Sequence, residues 1–546
     1  MEGHERRARG KRNSQKDDYA LVGILTYIGN LIFRIPLFYI IGEKGLGYFG
    51  IVYELYIIIA FFFSYGISEA TATLVRYRIR RDQFKNALKV LNVALWLGGA
   101  LGVIICLGLL LSGNFLAEKI MGMSLCGLAI NVMAPATVFC LLTGVLNGYF
   151  KGNGSKVVAM HSKIIEIIFL YVGGILGAFS FYGYGKKVSA LLLNESHAPA
   201  YGAMGACVGI LLSSVLCFLH AILLFLIYRR SAKKQEYKEA QRYTEKNMHI
   251  THMIIGNAIP KGAIGIIFHG LPLISGCLYI RLVGNEAGAI GQWGNYYGKF
   301  YVVIGMIAAL LSVMGIEPVS RIFYWLEREE YRTAKEIVAN MIRQCVIWTV
   351  PAAIFTAVLA ENILNLFFKG NNLDTASWIM WGSINIVLYV FALVFSNLLI
   401  RLRKNRYVLL CGAFALVFAS GIIWLLLAKT KLDILSLVIG NTVFYAIVTA
   451  AGFFLICRSI DYVQEWVRTL AFPLVAAGIS GLITMLMNKA FNSLSGSILS
   501  MLISLAVGIA AYAVLLLVFR CVNEKELENM FMGRILINIG RTFHLL

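Results

Sequence analysis

The chain has 546 residues, of which 59% are hydrophobic and only 14% charged, with a mean hydropathy of +0.75. A soluble chain carries about a quarter of its residues as charged side chains, so this composition excludes a water-soluble fold. The 49 Lys and Arg against 28 Asp and Glu leave a net charge of +21, but the cations collect in alternate gaps between apolar stretches, which excludes nucleic acid as the partner and points to membrane lipid.

Residues 1–18 are polar and basic and run into a full-length apolar stretch, as a retained anchor does. An apolar helix of 18 or more residues crosses the ~30 Å hydrocarbon core. Spans are predicted at 19–41, 48–75, 87–112, 125–149, 157–181, 203–227, 252–280, 296–318, 341–367, 377–400, 407–428, 432–456, 469–488 and 497–519. The basic clusters are Arg6 to Lys16, Arg76 to Lys89, Lys151 to Lys163, Arg229 to Lys246, Arg321 to Arg343, Arg401 to Arg406, Arg458 to Arg468 and Arg520 to Arg541. Lys and Arg held in short loops mark the cytoplasmic side, so both termini are expected there, as an even number of spans requires. Glu524 to Leu546 mixes Leu527, Met530, Phe531 and Ile535 with Arg534 and Arg541, the pattern of an interfacial amphipathic helix.

The chain also contains itself twice. GYFGIVY (47–53), GISEATATL (66–74) and DQFKNALK (82–89) match NYYGKFY (295–301), GIEPVSRI (315–322) and EEYRTAKE (329–336) at a nearly constant offset. Six spans per copy keep both copies in the same orientation, as in parallel-repeat transporters. The expected fold is an all-α polytopic membrane protein of about fourteen transmembrane helices. Two pseudo-symmetric six-helix lobes, 19–230 and 251–457, are joined by a linker at 231–250. Residues 458–520 form two extra C-terminal helices, and 521–546 a cytoplasmic amphipathic tail.

Ionisable groups inside a span cost about 2.5–3.5 kcal/mol each on insertion scales and persist where they face protein, water or substrate. Tyr27, Asn30 and Arg34 share one face of span 1, at i, i+3 and i+7. Lys261 lies inside span 7, with Asn257 one turn before it and His269 two turns after. The first helix of each lobe therefore carries a cation. Facing each other, Arg34 and Lys261 would make a positive cavity suited to an anion such as phosphate, with Asn30, Asn257 and His269 as further substrate-binding candidates. The alternative is that each cation pairs with a carboxylate and stabilises packing. Glu54 and Glu69 in span 2, Glu166 in span 5 and Glu317 in span 8 are candidates either for such pairs or for Na+ or H+ coupling.

No catalytic or metal-ligating constellation stands out, and no cofactor is expected. H-E-x-x-H and G-x-S-x-G do not occur. Lys151 to Lys156, KGNGSK, lacks the spacing of a phosphate-binding loop. The ten Cys are scattered, mostly within spans, without C-x-x-C.

The stretch FRIPLFYIIGEKGLGYFGIVYELY (33–56), followed by GISEA (66–70), LNGYFKGNG (146–154), HSKIIE (161–166) and EKELENM (524–530), resembles bacterial polysaccharide exporters and lipid II flippase-like proteins of the stage V sporulation protein B type. These belong to the exporter superfamily that also contains the MATE drug exporters. Ser162 and Glu166 match the span 5 pattern, whereas the polar residues that commonly follow are here Ile167, Ile168 and Phe169. The resemblance implies a two-lobe fold opening alternately to either side. It also implies flipping of undecaprenyl-pyrophosphate-linked sugars or a peptidoglycan precursor across the cytoplasmic membrane of a bacterium. Arg34 matches the basic position of the family's FRIP-like segment, and the last two spans are implied to shape a groove for the lipid tail. The partners so implied are the lipid-linked saccharide, membrane lipid and enzymes of cell-envelope biosynthesis. A cation-coupled drug exporter would instead favour acidic cavity residues, and a membrane-embedded glycan transferase would need a catalytic loop that these short connections lack.

Overall fold

The computed structural model describes residues 21–237, 244–284, 287–495 and 497–519. The basic N-terminus, the predicted amphipathic tail and the side chain of Glu317 lie outside the described residues. The described chain is helical, with no strand among those residues. Among the described residues, thirteen helices are long and apolar enough to cross a membrane. Each of the fourteen predicted spans overlaps one of them, although 341–367 runs past Val358 into the short helix Ala360–Phe367 and 377–400 begins on the short helix Leu373–Gly382. The first helix, Leu21–Ile79, takes two, having 59 residues, about 88 Å at 1.5 Å per residue and long enough for two crossings. Gly42, at φ 70 and ψ −175, breaks that run between spans 1 and 2. A Cβ at Gly42 would meet nothing within 4 Å, so the position requires glycine for its backbone conformation and not for space.

By compactness the chain divides into two units, one formed by residues 1–298 and 412–437 and the other by 299–411 and 438–546.

In the first unit, spans 5 and 6 are longer than predicted. They form helices Val157–Leu192 and His197–Tyr237, of 36 and 41 residues, about 54 and 62 Å long. Residues 182–202, left between predicted spans 157–181 and 203–227, are helical but for a short turn at 193–196. The cause is a glycine seam. A Cβ at Gly177 would lie 2.3 Å from the Gly205 carbonyl, and one at Gly209 would lie 2.4 Å from the Gly174 nitrogen. Small residues at both surfaces let the helices approach this closely, and that packing overrides the low helix propensity of glycine.

The end of the linker is clamped. The Arg78 side chain is only 2% exposed; its Nε donates to Glu245 at 3.1 Å and its Nη2 to the other oxygen of the same carboxylate. The Glu245 backbone N–H donates to Asn86 Oδ1 at 3.1 Å. Beyond the clamp, Ile250, Ile254 and Ala258 of span 7 enter one apolar cluster with Ile67, Leu74, Val75, Val90 and Leu91. Charged hydrogen bonds of this type contribute about 1.5–3 kcal/mol. Glu245→Gln should therefore raise local opening, read as tryptic cleavage after Lys246, by about tenfold or more. A cleavage rate equal to wild type would show that the clamp does not hold the segment.

In the second unit the last two spans, Val467–Phe491 and Ile498–Val518, pack on Tyr331–Val358. Tyr512 donates to the Ile347 carbonyl at 2.9 Å, and a Cβ at Gly481 would press on Ile354 at 2.3 Å. Asn488 Nδ2 donates to Asn362 Oδ1 at 3.0 Å. In a span an amide needs such a partner, because lipid offers none.

Candidate functional site

Span 2 is the element on which the sequence-predicted charges converge, and they do so at two separate levels. The first level is set by Arg34. Its side chain is 6% exposed and lies 3.7 Å from Glu54, which is 8% exposed. Nη1 donates to the Tyr297 carbonyl at 2.9 Å, and the guanidinium lies 3.6 Å from the centroid of the Tyr297 ring. An ion pair and a cation–π contact together offset the burial of the charge. The approach is close because the segments matched by the repeat face each other. A Cβ at Gly50 would strike the Tyr297 ring at 2.6 Å, one at Gly47 the Ile290 carbonyl at 2.4 Å, and one at Gly298 the side chain of Leu46 at 2.4 Å. Asn30, one turn before Arg34, has a buried Oδ1 with no hydrogen-bond partner among the described residues.

The second level lies fifteen residues along span 2, at Glu69 and Thr73. Lys261 Nζ donates to the Glu69 carbonyl at 3.0 Å and to Thr73 Oγ1 at 2.8 Å. The Glu69 carboxylate is turned away, to Lys151 at 3.1 Å. Arg76 Nη2 donates to the Lys151 carbonyl at 3.2 Å, and Arg76 is within electrostatic reach of both Glu69 and Lys261. Three cations thus surround one carboxylate.

Between the levels runs a seam of backbone contact. A Cβ at Gly262 would lie 2.2 Å from the Phe62 carbonyl, and one at Gly66 would lie 2.8 Å from the Ala258 carbonyl. Span 2 is π-helical there, over Ala60–Tyr65, a wider turn that recurs at functional sites. His269 stacks on Phe61 with ring centroids 4.2 Å apart.

Arg34 and Lys261 are therefore not brought together. Glu54 and Glu69, their respective neighbours, are about 20 Å apart along the helix axis. Asn257 Nδ2 donates back to the Met253 carbonyl of its own helix at 2.8 Å. Of the described carboxylates named above, Glu54 and Glu69 are paired. Glu166 makes no hydrogen bond or close ion pair among the described residues; Lys163 acts on it electrostatically, and its surroundings also include Tyr53, Tyr56, Cys140 and Cys217. No group of three or more His, Cys, Asp or Glu that could hold a metal ion occurs among the described residues.

Tyr297, Thr73 and Arg76 were not legible as site residues. Tyr297 carried a signal, since it lies in the repeat-matched segment 295–301. Lys299 is a further cation inside span 8. It is 1% exposed, donates to Asn372 Oδ1 at 3.1 Å and lies 5.9 Å from the Phe368 ring centroid. A cation inside a predicted span was itself the clue.

No family model matches the chain. It is 18% identical over 524 residues to stage V sporulation protein B of Bacillus subtilis (strain 168), covering 94% of this chain and 97% of that protein. Among solved structures, it is similar to the lipid II flippase MurJ in an inward closed conformation, with a TM-score of 0.64, 14% identity and coverage of 91% of this chain and 97% of that one. It is also similar to a multidrug resistance MATE family transporter of the MOP superfamily in an inward-facing conformation, with a TM-score of 0.57, 19% identity and coverage of 80% and 94%. Those solved structures are of a flippase and a transporter, not of enzymes. The chain has the fold of the MOP superfamily transporters and is similar over nearly its whole length to stage V sporulation protein B.

Proposed function

We propose that this chain is a membrane transporter that flips an undecaprenyl-pyrophosphate-linked saccharide or peptidoglycan precursor across the cytoplasmic membrane of a bacterium by alternating access. Both termini and the basic clusters lie on the cytoplasmic side in this reading. The observation that carries it is the sign of the charge along span 2. Arg34, Lys151, Lys261 and Arg76 stand against Glu54 and Glu69, a surplus that suits a pyrophosphate and repels a cationic drug. The likeness to MurJ, whose name states that it flips lipid II, supports the same substrate class.

Lys261 and Arg34 serve as successive anion stations and not as one clamp, Arg34 becoming available only when movement of the lobes frees it from Glu54 and Tyr297, with Asn257 and His269 flanking the first and Asn30 the second. The six-helix lobes 19–230 and 251–457 are the moving bodies. Glu166, which among the candidate carboxylates makes no hydrogen bond or close ion pair to a described residue, is the coupling group for H+ or Na+, and Glu317 is a second candidate. Membrane lipid and the enzymes that build and consume the lipid-linked saccharide are the partners.

The test is flipping of a fluorescent undecaprenyl-pyrophosphate oligosaccharide in proteoliposomes under an imposed ion gradient. Wild type should transport, Lys261→Gln should be slowed about tenfold or more, and Glu166→Gln should lose the dependence on the gradient. Absence of lipid-linked transport in folded wild type, with export of a cationic drug in its place, would overturn the reading.

A further inference from the structure

The bonds of Lys261 are unusual for a cation at a helix seam. Two of its three N–H groups go to neutral oxygens, the Glu69 carbonyl and the Thr73 hydroxyl, while the nearby carboxylate is held by Lys151. Both neutral acceptors belong to span 2, so these two bonds tie span 7 to span 2. Thr73 and Arg76 are exposed and Lys261 is half-buried, so an anion can reach all three. An ionised phosphate oxygen is a stronger acceptor than a carbonyl or a hydroxyl, by roughly twofold in hydrogen-bond strength.

We infer that the Lys261 tie is displaced by its ligand: a diphosphate group bound by Lys261 and Arg76 takes the ammonium from Glu69 and Thr73, so that anion binding and separation of spans 2 and 7 are one event. Three further observations make separation feasible. The seam beside the tie is backbone against glycine at Gly66 and Gly262, with no side chain from either of these positions to withdraw. The contact on span 2 is the π-helical stretch Ala60–Tyr65, whose hydrogen bonding can shift register. Pro260, next to Lys261 inside the helix, removes the backbone donor that would bind the Gly256 carbonyl, which permits bending there. A ligand that binds the separated state better shifts the population toward it by its differential affinity and no more. The displaced bonds are therefore the coupling.

This inference rests on the flippase reading for its biological ligand but not for its chemistry. The experiment places nitroxide-bearing unnatural residues at Tyr65 and Ile259, both exposed beside the seam at Gly66 and Gly262 and away from the Arg78–Glu245 clamp, in the full chain in phosphatidylcholine nanodiscs. The distance between them is followed while inorganic diphosphate or farnesyl diphosphate is added. The distance distribution should widen with diphosphate and not with chloride at equal ionic strength. The half-saturating concentration should rise about tenfold or more in Lys261→Gln and in Arg76→Gln, and fall in Thr73→Val, which removes one competing acceptor. Action by both probes assigns the site to the diphosphate itself, and action by farnesyl diphosphate alone assigns it to the lipid headgroup. The inference is overturned if diphosphate leaves the distance unchanged in wild type, or if Lys261→Gln responds at the wild-type concentration. Widening without any flipping in the proteoliposome assay would overturn the flippase reading and leave this site standing. Flipping without widening would overturn this inference alone.

Discussion

The Glu54→Leu protein should lose about 3–5 kcal/mol of stability, because it leaves the Arg34 guanidinium buried without its counter-charge. Arg34 and Glu54 are 6% and 8% exposed, so water cannot take over the lost interaction. The Arg34→Met/Glu54→Leu double variant should regain much of that loss, since a buried pair replaced by apolar residues of similar volume is often neutral or stabilising. Full recovery is not expected. Arg34 also contributes its bond to the Tyr297 carbonyl and its contact with the Tyr297 ring. Thermal unfolding of the purified variants in detergent measures the cycle. A double variant no more stable than Glu54→Leu would show that the two charges are not each other's main partners.

A single methyl group at Gly262 should be nearly as damaging. The added Cβ would sit 2.2 Å from the Phe62 carbonyl oxygen, and a backbone atom cannot swing aside as a flexible side chain can. Span 7 must move off span 2 by roughly 1 Å to restore ordinary contact, stretching the Lys261 bonds as it goes. Overpacking of this kind costs about 1–3 kcal/mol and occasionally more. Gly256→Ala, on the same helix, is the control: its Cβ meets nothing within 4 Å, and alanine is favoured over glycine in a helix by about 0.5–1 kcal/mol. Gly262→Ala should thus lower the unfolding temperature and Gly256→Ala should not. Equal behaviour of the two would remove the seam from the account of how these helices meet.

Much of the architecture was legible because a bilayer simplifies the rule for reading it. Length and apolarity mark a span, and each of the fourteen predicted stretches overlaps a helix of sufficient length. What misled was local chemistry overridden by packing. The predicted spans stop at 181 and resume at 203, yet Gly174, Gly177, Gly205 and Gly209 interlock so closely that both helices continue past the expected ends. The site was legible in its parts and not in its assembly. Arg34, Lys261, Glu54 and Glu69 were each visible as charges inside spans, but a one-dimensional pattern carries no depth relation between helices. It suggested that the two cations face each other, whereas each is engaged at a different level of span 2. Thr73 and Arg76 gave no warning, since a hydroxyl and a loop-edge arginine are ordinary at a membrane surface.

The first compact unit draws on two stretches of chain, 1–298 and 412–437, and this has a consequence for biosynthesis. Its late segment covers surfaces made much earlier. Gly412 lies against Ile267, Leu416 lies beside Gly270, and Asp433 accepts a hydrogen bond from Tyr279 at 2.5 Å. A nascent chain therefore cannot complete this unit until residue 437 has left the ribosome, although most of the unit has been inserted long before. Until then span 7 exposes a face that awaits its cover, so the order of insertion and the order of assembly differ. Truncations ending between 298 and 411 should be substrates for membrane quality control, whereas the break in continuity is invisible once the full chain has closed over it.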